Sequence, residues 1–244
     1  MGANAQIAVP AFTAGQVLTA TQQTQINTGI PVFATTTTRD AAFGGTGEKV
    51  LAQGQYAYIE ATSALMVYTG SAWATVGGGL TYITQATPSA VNSVSINNCF
   101  SSTYENYLVT VNITATVGTN SALKMRLRAS GTDATTNYKQ IRTNSYGASI
   151  AVLTDPDGTD EWSMAFTNQA TASSQAYSAQ IFSPFQSTPT RHLANAGAPE
   201  NDATLNMYQF YGFHSTASAY DGFTVTTAGT SFTGTIRVYG YQNS

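Results

Sequence analysis

From Leu80 onward, apolar and polar side chains trade places in short alternating runs. In ALKMRLRA the apolar Leu123, Met125 and Leu127 alternate with Lys124, Arg126 and Arg128, so an extended strand buries one face and turns the other to solvent or a partner. Near the end of the chain, Ile236, Val238 and Gly240 alternate with Arg237, Tyr239 and Tyr241 in the same way. The runs YLVTVNITATV, AYSAQIF, TLNMYQFYGF, DGFTVTT and FTGTIRVYGY carry similar strand signals, interrupted by clusters of Gly, Asn, Asp and Ser. Many short strands without a helical period predict an all-β sandwich or barrel over residues 80–244.

The residues before Leu80 are patterned differently. AVPAFTAGQVL alternates weakly and carries an early proline, which predicts a terminal arm laid along a neighbouring chain, or else a frayed terminus. TATQQTQINT, residues 19–28, is the one segment that reads as helix, with Thr19 or Thr21 as N-cap and Gly29 then Pro31 as the stop. Between Val32 and Val76, QYAYIEA and LMVYTG read as a hairpin with one aromatic face, broken at Thr62-Ser63. Two strands alone are marginal in water, so Tyr56, Tyr58, Tyr68 and Trp73 are expected to pack against another copy or another part of the chain. The run Gly77-Gly78-Gly79 costs backbone entropy, which suits a linker. Three regions follow: an arm with a short helix at 1–31, a hairpin module with its glycine linker at 32–79, and a β-sandwich at 80–244.

Composition narrows the function classes. The 244 residues suffice for one large or two small domains. Only 9% are charged, against roughly 25% in an ordinary soluble domain, so the surface is hydrated by Thr, Ser, Asn and Gln and is electrostatically quiet. A net charge of −3, with Lys and Arg scattered singly, leaves no basic stripe, and nucleic acid is not an expected partner. Met1 to Phe12 lack a positive region followed by an apolar one, and no later run nears the roughly 18 apolar residues of a membrane span. A soluble protein made in a cytoplasm, without membrane insertion, is expected. Cys99 has no second cysteine to pair with and reads as a small buried apolar residue.

The segments VFATTTTRDAAF and QGQYAYIEATSALMVYTGSAWATV bring in a family. Arg39-Asp40-Ala41 closes an A-T-T-x-x-R-D-A opening, Gly54 and Tyr58 fit a G-x-x-x-Y strand, and Leu65, Tyr68, Gly70, Ala72 and Trp73 fit an L-x-x-Y-x-G-x-A-W strand. Over about a fifth of the chain, this resembles a module common in tail and fibre proteins of tailed bacteriophages. The sequence departs from the commonest form at Gly44 to Gly47, where proline-containing versions are frequent, and at Thr69, where Asp usually precedes the glycine. The ending FTGTIRVYGYQNS is similar to the last strand of small jelly-roll domains on phage fibres and capsid surfaces. The resemblance implies a mainly β, jelly-roll-like C-terminal sandwich and a homotrimer.

Little in the chain points to catalysis. The two histidines, His192 and His214, have no neighbouring metal-ligand partner and read as turn or core residues. No nucleophile elbow, phosphate loop, dinucleotide fingerprint or paired-cysteine motif occurs. A paired-carboxylate glycosidase of the tailspike type normally uses a long β-helix, for which the chain has neither room nor repeat. Asp155, Asp157 and Asp160 in DPDGTDE form the best local cation candidate, because hard cations want several carboxylate oxygens on one turn. The glycine is fourth in that loop rather than sixth, which favours a plain Pro-Asp-Gly turn. For receptor binding, where aromatic faces combine with fixed polar groups, the candidates are Tyr138, Tyr146, Arg191, His192 and Tyr220; Trp162 is read as a core residue.

The expected protein is therefore a non-enzymatic structural subunit of the virion surface, without cofactor. Its arm holds other virion proteins, its module trimerises, and its sandwich meets a host-surface glycan or protein as a tail fibre does. A capsid decoration or head-fibre protein is the alternative, and a glycan depolymerase the third reading.

Overall fold

A computed structural model describes residues 5–27, 29–77, 79–118, 121–146, 149–167, 175–200, 204–227 and 229–242. The chain divides into two compact units, residues 1–78 and 79–244.

In the first unit, the arm lies along its own unit. The Gln6 N–H donates to the Val32 carbonyl at 2.7 Å, the Val9 N–H to the Ala42 carbonyl at 3.2 Å, and the Val9 carbonyl accepts from the Lys49 N–H at 2.9 Å. These bonds satisfy backbone groups that a neighbouring chain was expected to satisfy. Helix α1 (Ala20–Asn27) follows. Its cap is reciprocal: Thr19 Oγ1 accepts from the Gln22 N–H at 3.2 Å, and Gln22 Oε1 accepts from the Thr19 N–H at 3.0 Å.

The motif ATTTTRDA contains a second helix, α2 (Thr36–Asp40), where only strand-like runs were expected. Threonine is a poor helix former, and a box between Thr35 and Thr38 compensates by satisfying both N-terminal donors. The hairpin itself is larger than the patterning suggests. Strands β1 (Val32–Phe33), β2 (Tyr56–Ile59), β3 (Ala64–Tyr68) and β4 (Trp73–Thr75) form one sheet in that order, with β1 parallel to β2 and the others antiparallel. Val9, Phe33, Ala42, Ala57 and Ile59 make its core. Trp73 packs on Phe43 and Tyr68, with ring centroids 6.0 and 5.5 Å away, and under the Arg39 guanidinium 4.7 Å from its ring. Two of the aromatics thus find partners within the unit, while Tyr56 stays exposed.

The second unit contributes β5 (Leu80–Ala86), β6 (Ser93–Ile96), β7 (Asn106–Gly118), β8 (Ser121–Ala129), β9 (Thr132–Asp133), β10 (Tyr138–Tyr146), β11 (Ser149–Thr159), β12 (Trp162–Thr167), β13 (Gln175–Phe182), β14 (Thr190–Glu200), β15 (Thr204–His214), β16 (Gly222–Thr227) and β17 (Thr230–Tyr241). One sheet has eight strands, ordered β11-β10-β15-β14-β13-β7-β17-β5; the other runs β12-β8-β16-β6, with β9 beside β8. Every pairing in both sheets is antiparallel.

Without β9, β10, β11, β14 and β15, the chain passes from one sheet to the other at every step except that from β8 to β12, which are neighbours in the smaller sheet, giving β5-β17-β7-β13 opposite β6-β16-β8-β12. That is the jelly-roll order, two Greek keys wrapped as a sandwich. Two excursions, β10–β11 and β14–β15, extend one sheet past the other. The alternating runs face as their patterns predict. Leu123, Met125, Leu127, Ile236 and Val238 are wholly buried between the sheets. Each such side chain contributes about 1.5–3 kcal/mol by leaving water. Cys99 is buried as well, and burial pushes its thiol up to about 12.

The DPDG segment is not an isolated turn. It lies within β11, where the register with β10 jumps from Tyr138↔Thr159 to Gln140↔Asp155, so the extra residues are absorbed as a bulge in a continuing strand.

Candidate functional site

Three of the expected receptor contacts are interior. Tyr138 and His192 are fully buried and Tyr220 is 4% exposed. They converge with Trp162 and His214 in one aromatic cluster between the sheets. Trp162 stacks on His192 with centroids 4.4 Å apart, meets Tyr138 edge-on at 5.2 Å, and Tyr138 meets His214 at 4.4 Å. Tyr220 Oη lies 3.3 Å from His214 Nδ1. The Tyr138 hydroxyl accepts from the Leu127 N–H at 2.8 Å and donates to the Ala134 carbonyl at 3.1 Å, tying the excursion to β8. Burial pushes His192 down to about 3 and His214 below the usual imidazole range, so both rings stay neutral in the fold. These residues hold the sandwich together and offer no face to a ligand. Tyr146 ends β10 opposite Asn206 and Ser149, and its side chain lies outside the described residues.

The cation candidate is spent on ion pairs where it can be followed. Asp160 accepts from Arg126 Nη2 at 2.6 Å, and Glu161 takes Lys124 Nζ at 2.7 Å and Arg126 Nε at 3.2 Å. Arg128 pairs with Asp133, and Thr224 and Thr226 donate to Asp133 and Glu161. The three cations of β8 are thereby neutralised across the outer face of the smaller sheet. Among the described residues no three His, Cys, Asp or Glu side chains converge as metal ligands; the side chains of Asp155 and Asp157 lie outside that description.

Arg191 alone of the five receptor candidates is placed on an open surface, the outer face of the eight-stranded sheet. The register writes that face in rows running across the strands. Arg237, Thr110, Ser178, Asn195, Gln209 and Thr143 are successive cross-strand partners from β17 to β10. The next row along the strands reads Tyr239, Leu108, Gln180, Leu193, Tyr211 and Ile141, with Tyr82 on β5 edge-on to Tyr239 at 5.9 Å. A third row holds Phe182, Arg191, Phe213 and Lys139. Polar amides, hydroxyls and a guanidinium therefore form a stripe beside a stripe of rings and aliphatic groups, because side chains on one face recur at every second residue.

Small side chains make the face concave where the stripes begin. Ala176, Ser178 and Thr110 leave a shallow depression of about 410 Å³, rimmed by Asn112, Asn195 and Arg237. Tyr211 is 49% exposed and Leu193 and Ile141 are also open to solvent. Sequence reasoning missed this surface, although the outward positions of Arg237, Tyr239 and Tyr241 had already marked one strand of it.

No family model, curated protein or solved structure matches the chain. Among the described residues no helix is long and apolar enough to cross a membrane.

Proposed function

We propose that the chain is a non-catalytic surface subunit of a tailed-phage virion, a tail-fibre or receptor-binding protein, and that it meets the host through the outer face of the eight-stranded sheet. The observation that carries the binding role is that face, where a polar row lies beside a row of rings and aliphatic groups that leaves Leu193, Tyr211 and Ile141 exposed. A surface of this kind supplies hydrogen-bonding groups of fixed direction together with flat apolar area, the combination that recognition of a hydroxylated ligand needs. The buried neutral histidines and the internally paired acids of the smaller sheet suit binding rather than turnover.

The phage assignment rests on the likeness of the first unit to the fibre module. Arg39 and Tyr68, both motif positions, each pack on Trp73, a third, which gives the motif a physical reason. A homotrimer belongs to the same likeness. The arm is proposed to reach other virion proteins from residues beyond those tied to its own unit.

Immunogold labelling of intact virions with antibody to residues 80–244 tests the reading. Label on the tail or its fibres, together with purified protein that blocks adsorption, is the expected result. Label over the capsid would make this a decoration or head-fibre protein instead.

A further inference from the structure

We infer that the outer face of the eight-stranded sheet takes an acidic polysaccharide, one whose repeating units carry carboxylate or phosphate; this rests on the host-binding reading above. The argument is one of charge and spacing. The chain as a whole is acidic, with 12 Asp and Glu against 9 Lys and Arg. Yet among the described side chains, the charged residues at outward positions of this sheet are cations: Arg237, Arg191 and Lys139. Arg237 and Arg191 make no ion pair among the described residues. On the smaller sheet, by contrast, each β8 cation has its own carboxylate.

A guanidinium held on a rigid strand presents a planar fork that matches a carboxylate or phosphate in two hydrogen bonds. The three cations are too far apart to share one small anion. Arg191 and Lys139 stand in one row two strands apart, about 10 Å by the usual interstrand spacing, and Arg237 lies roughly 20 Å from Arg191. A ligand that engages more than one of them carries its charges at intervals along a chain. Between the cations lie Ser178, Asn195 and Gln209, neutral donors and acceptors suited to sugar hydroxyls, and the rings of Tyr211 and Phe213, suited to the apolar faces of pyranose rings. Three separated cations are too few for the continuous phosphates of a nucleic acid, which drive binding by releasing many counterions.

Affinity electrophoresis of the full chain tests the inference. The gels contain polygalacturonate, a glycerol-phosphate teichoic acid, or neutral dextran. The expected result is retardation by at least one acidic polymer, weakened by added salt, with none by dextran; which polymer retards it tells carboxylate from phosphate. Arg237→Gln combined with Arg191→Gln is expected to reduce retardation at least tenfold while the melting curve stays unchanged. Equal retardation by dextran, retardation untouched by the double substitution, no retardation by either acidic polymer, or equal competition by oligodeoxythymidylate would overturn it. Should host cells still bind the protein through this face in that case, the acidic ligand fails and the host-binding reading stands.

Discussion

His192 lies flat on Trp162, with ring centroids 4.4 Å apart and planes 27° from parallel, and the space for its imidazole is the missing side chain of Gly212. His192 and Gly212 are cross-strand partners of β14 and β15, and a Cβ on Gly212 would fall 2.1 Å from His192 Nδ1 and 2.8 Å from Trp162 Cδ1. Gly212→Ala is expected to destabilise the sandwich by about 1–3 kcal/mol, the usual cost of overpacking. At roughly 2–4 °C per kcal/mol for a unit of this size, calorimetry reads the loss as a lower Tm. An unchanged Tm would mean that the stack can yield.

The same stack makes the fold sensitive to acid. Burial holds His192 near about 3 and lowers His214, whereas the unfolded chain titrates near its ordinary value of about 6.5. Above that pH both states are neutral and the rings contribute no pH dependence. As pH falls from about 6.5 towards 3, the unfolded state takes up protons that the fold refuses, and stability drops by up to about 1.4 kcal/mol per pH unit for His192. Melting curves from pH 7.5 to 5 should show Tm falling with acid. In His192→Phe, which keeps an aromatic ring on Trp162, the slope should be shallower, and an identical slope would remove His192 from the account.

On the outer face, Tyr211 contributes to no core. Tyr211→Ser is expected to weaken binding to host cells several-fold, with stability changed by no more than about 0.5 kcal/mol, as for other surface positions. Cell-binding isotherms beside melting curves separate the two effects. A matching loss in both would assign Tyr211 to the fold.

Arg39 makes a counter-test in the first unit. Its guanidinium donates to Asp40 Oδ1 at 2.8 and 2.7 Å, touches Met66 Sδ at 3.0 Å and covers Trp73. Arg39→Ala should cost this unit about 1–3 kcal/mol through lost packing and cation–π attraction. Because the two tryptophans fall one in each unit, Trp73 fluorescence in a Trp162→Phe background reports the loss alone.

Cys99 provides a probe of opening. With its thiol buried and pushed up to about 12, it should resist a disulfide reagent at pH 8 and react only as the sandwich unfolds. Rapid labelling of the native protein would contradict that burial.

The strands legible in the sequence are those whose apolar residues face inward. ALKMRLRA and FTGTIRVYGY qualify, and both lie in the jelly-roll body. Of the excursions, β15 alone was read as a strand, from TLNMYQFYGF; β10 and β14 were illegible because they invert the pattern. In YKQIRTNSY the inward positions are Tyr138, Gln140, Arg142 and Asn144, while the apolar Ile141 points out. RHLANAGAPE likewise turns His192 in and Leu193 out. The inversion also misdirected the site, since Tyr138, His192 and Tyr220 look like surface aromatics until the second sheet is laid over them. The open face could not be found from any single strand, because its rows exist only across strands far apart in sequence. DPDG carried a strong turn signal that the paired strands overrode.

The interleaving of the two excursions has a consequence for synthesis on the ribosome. β15 lies between β14 and β10, so the β10–β11 hairpin has no sheet to join until residues 204–214 have emerged. At about 5–20 residues per second, the edge of β10 that pairs with β15 in the finished sheet stays without that partner for several seconds. The clasp closes late, and until it does the open strand edge is a template on which another extended segment can pair.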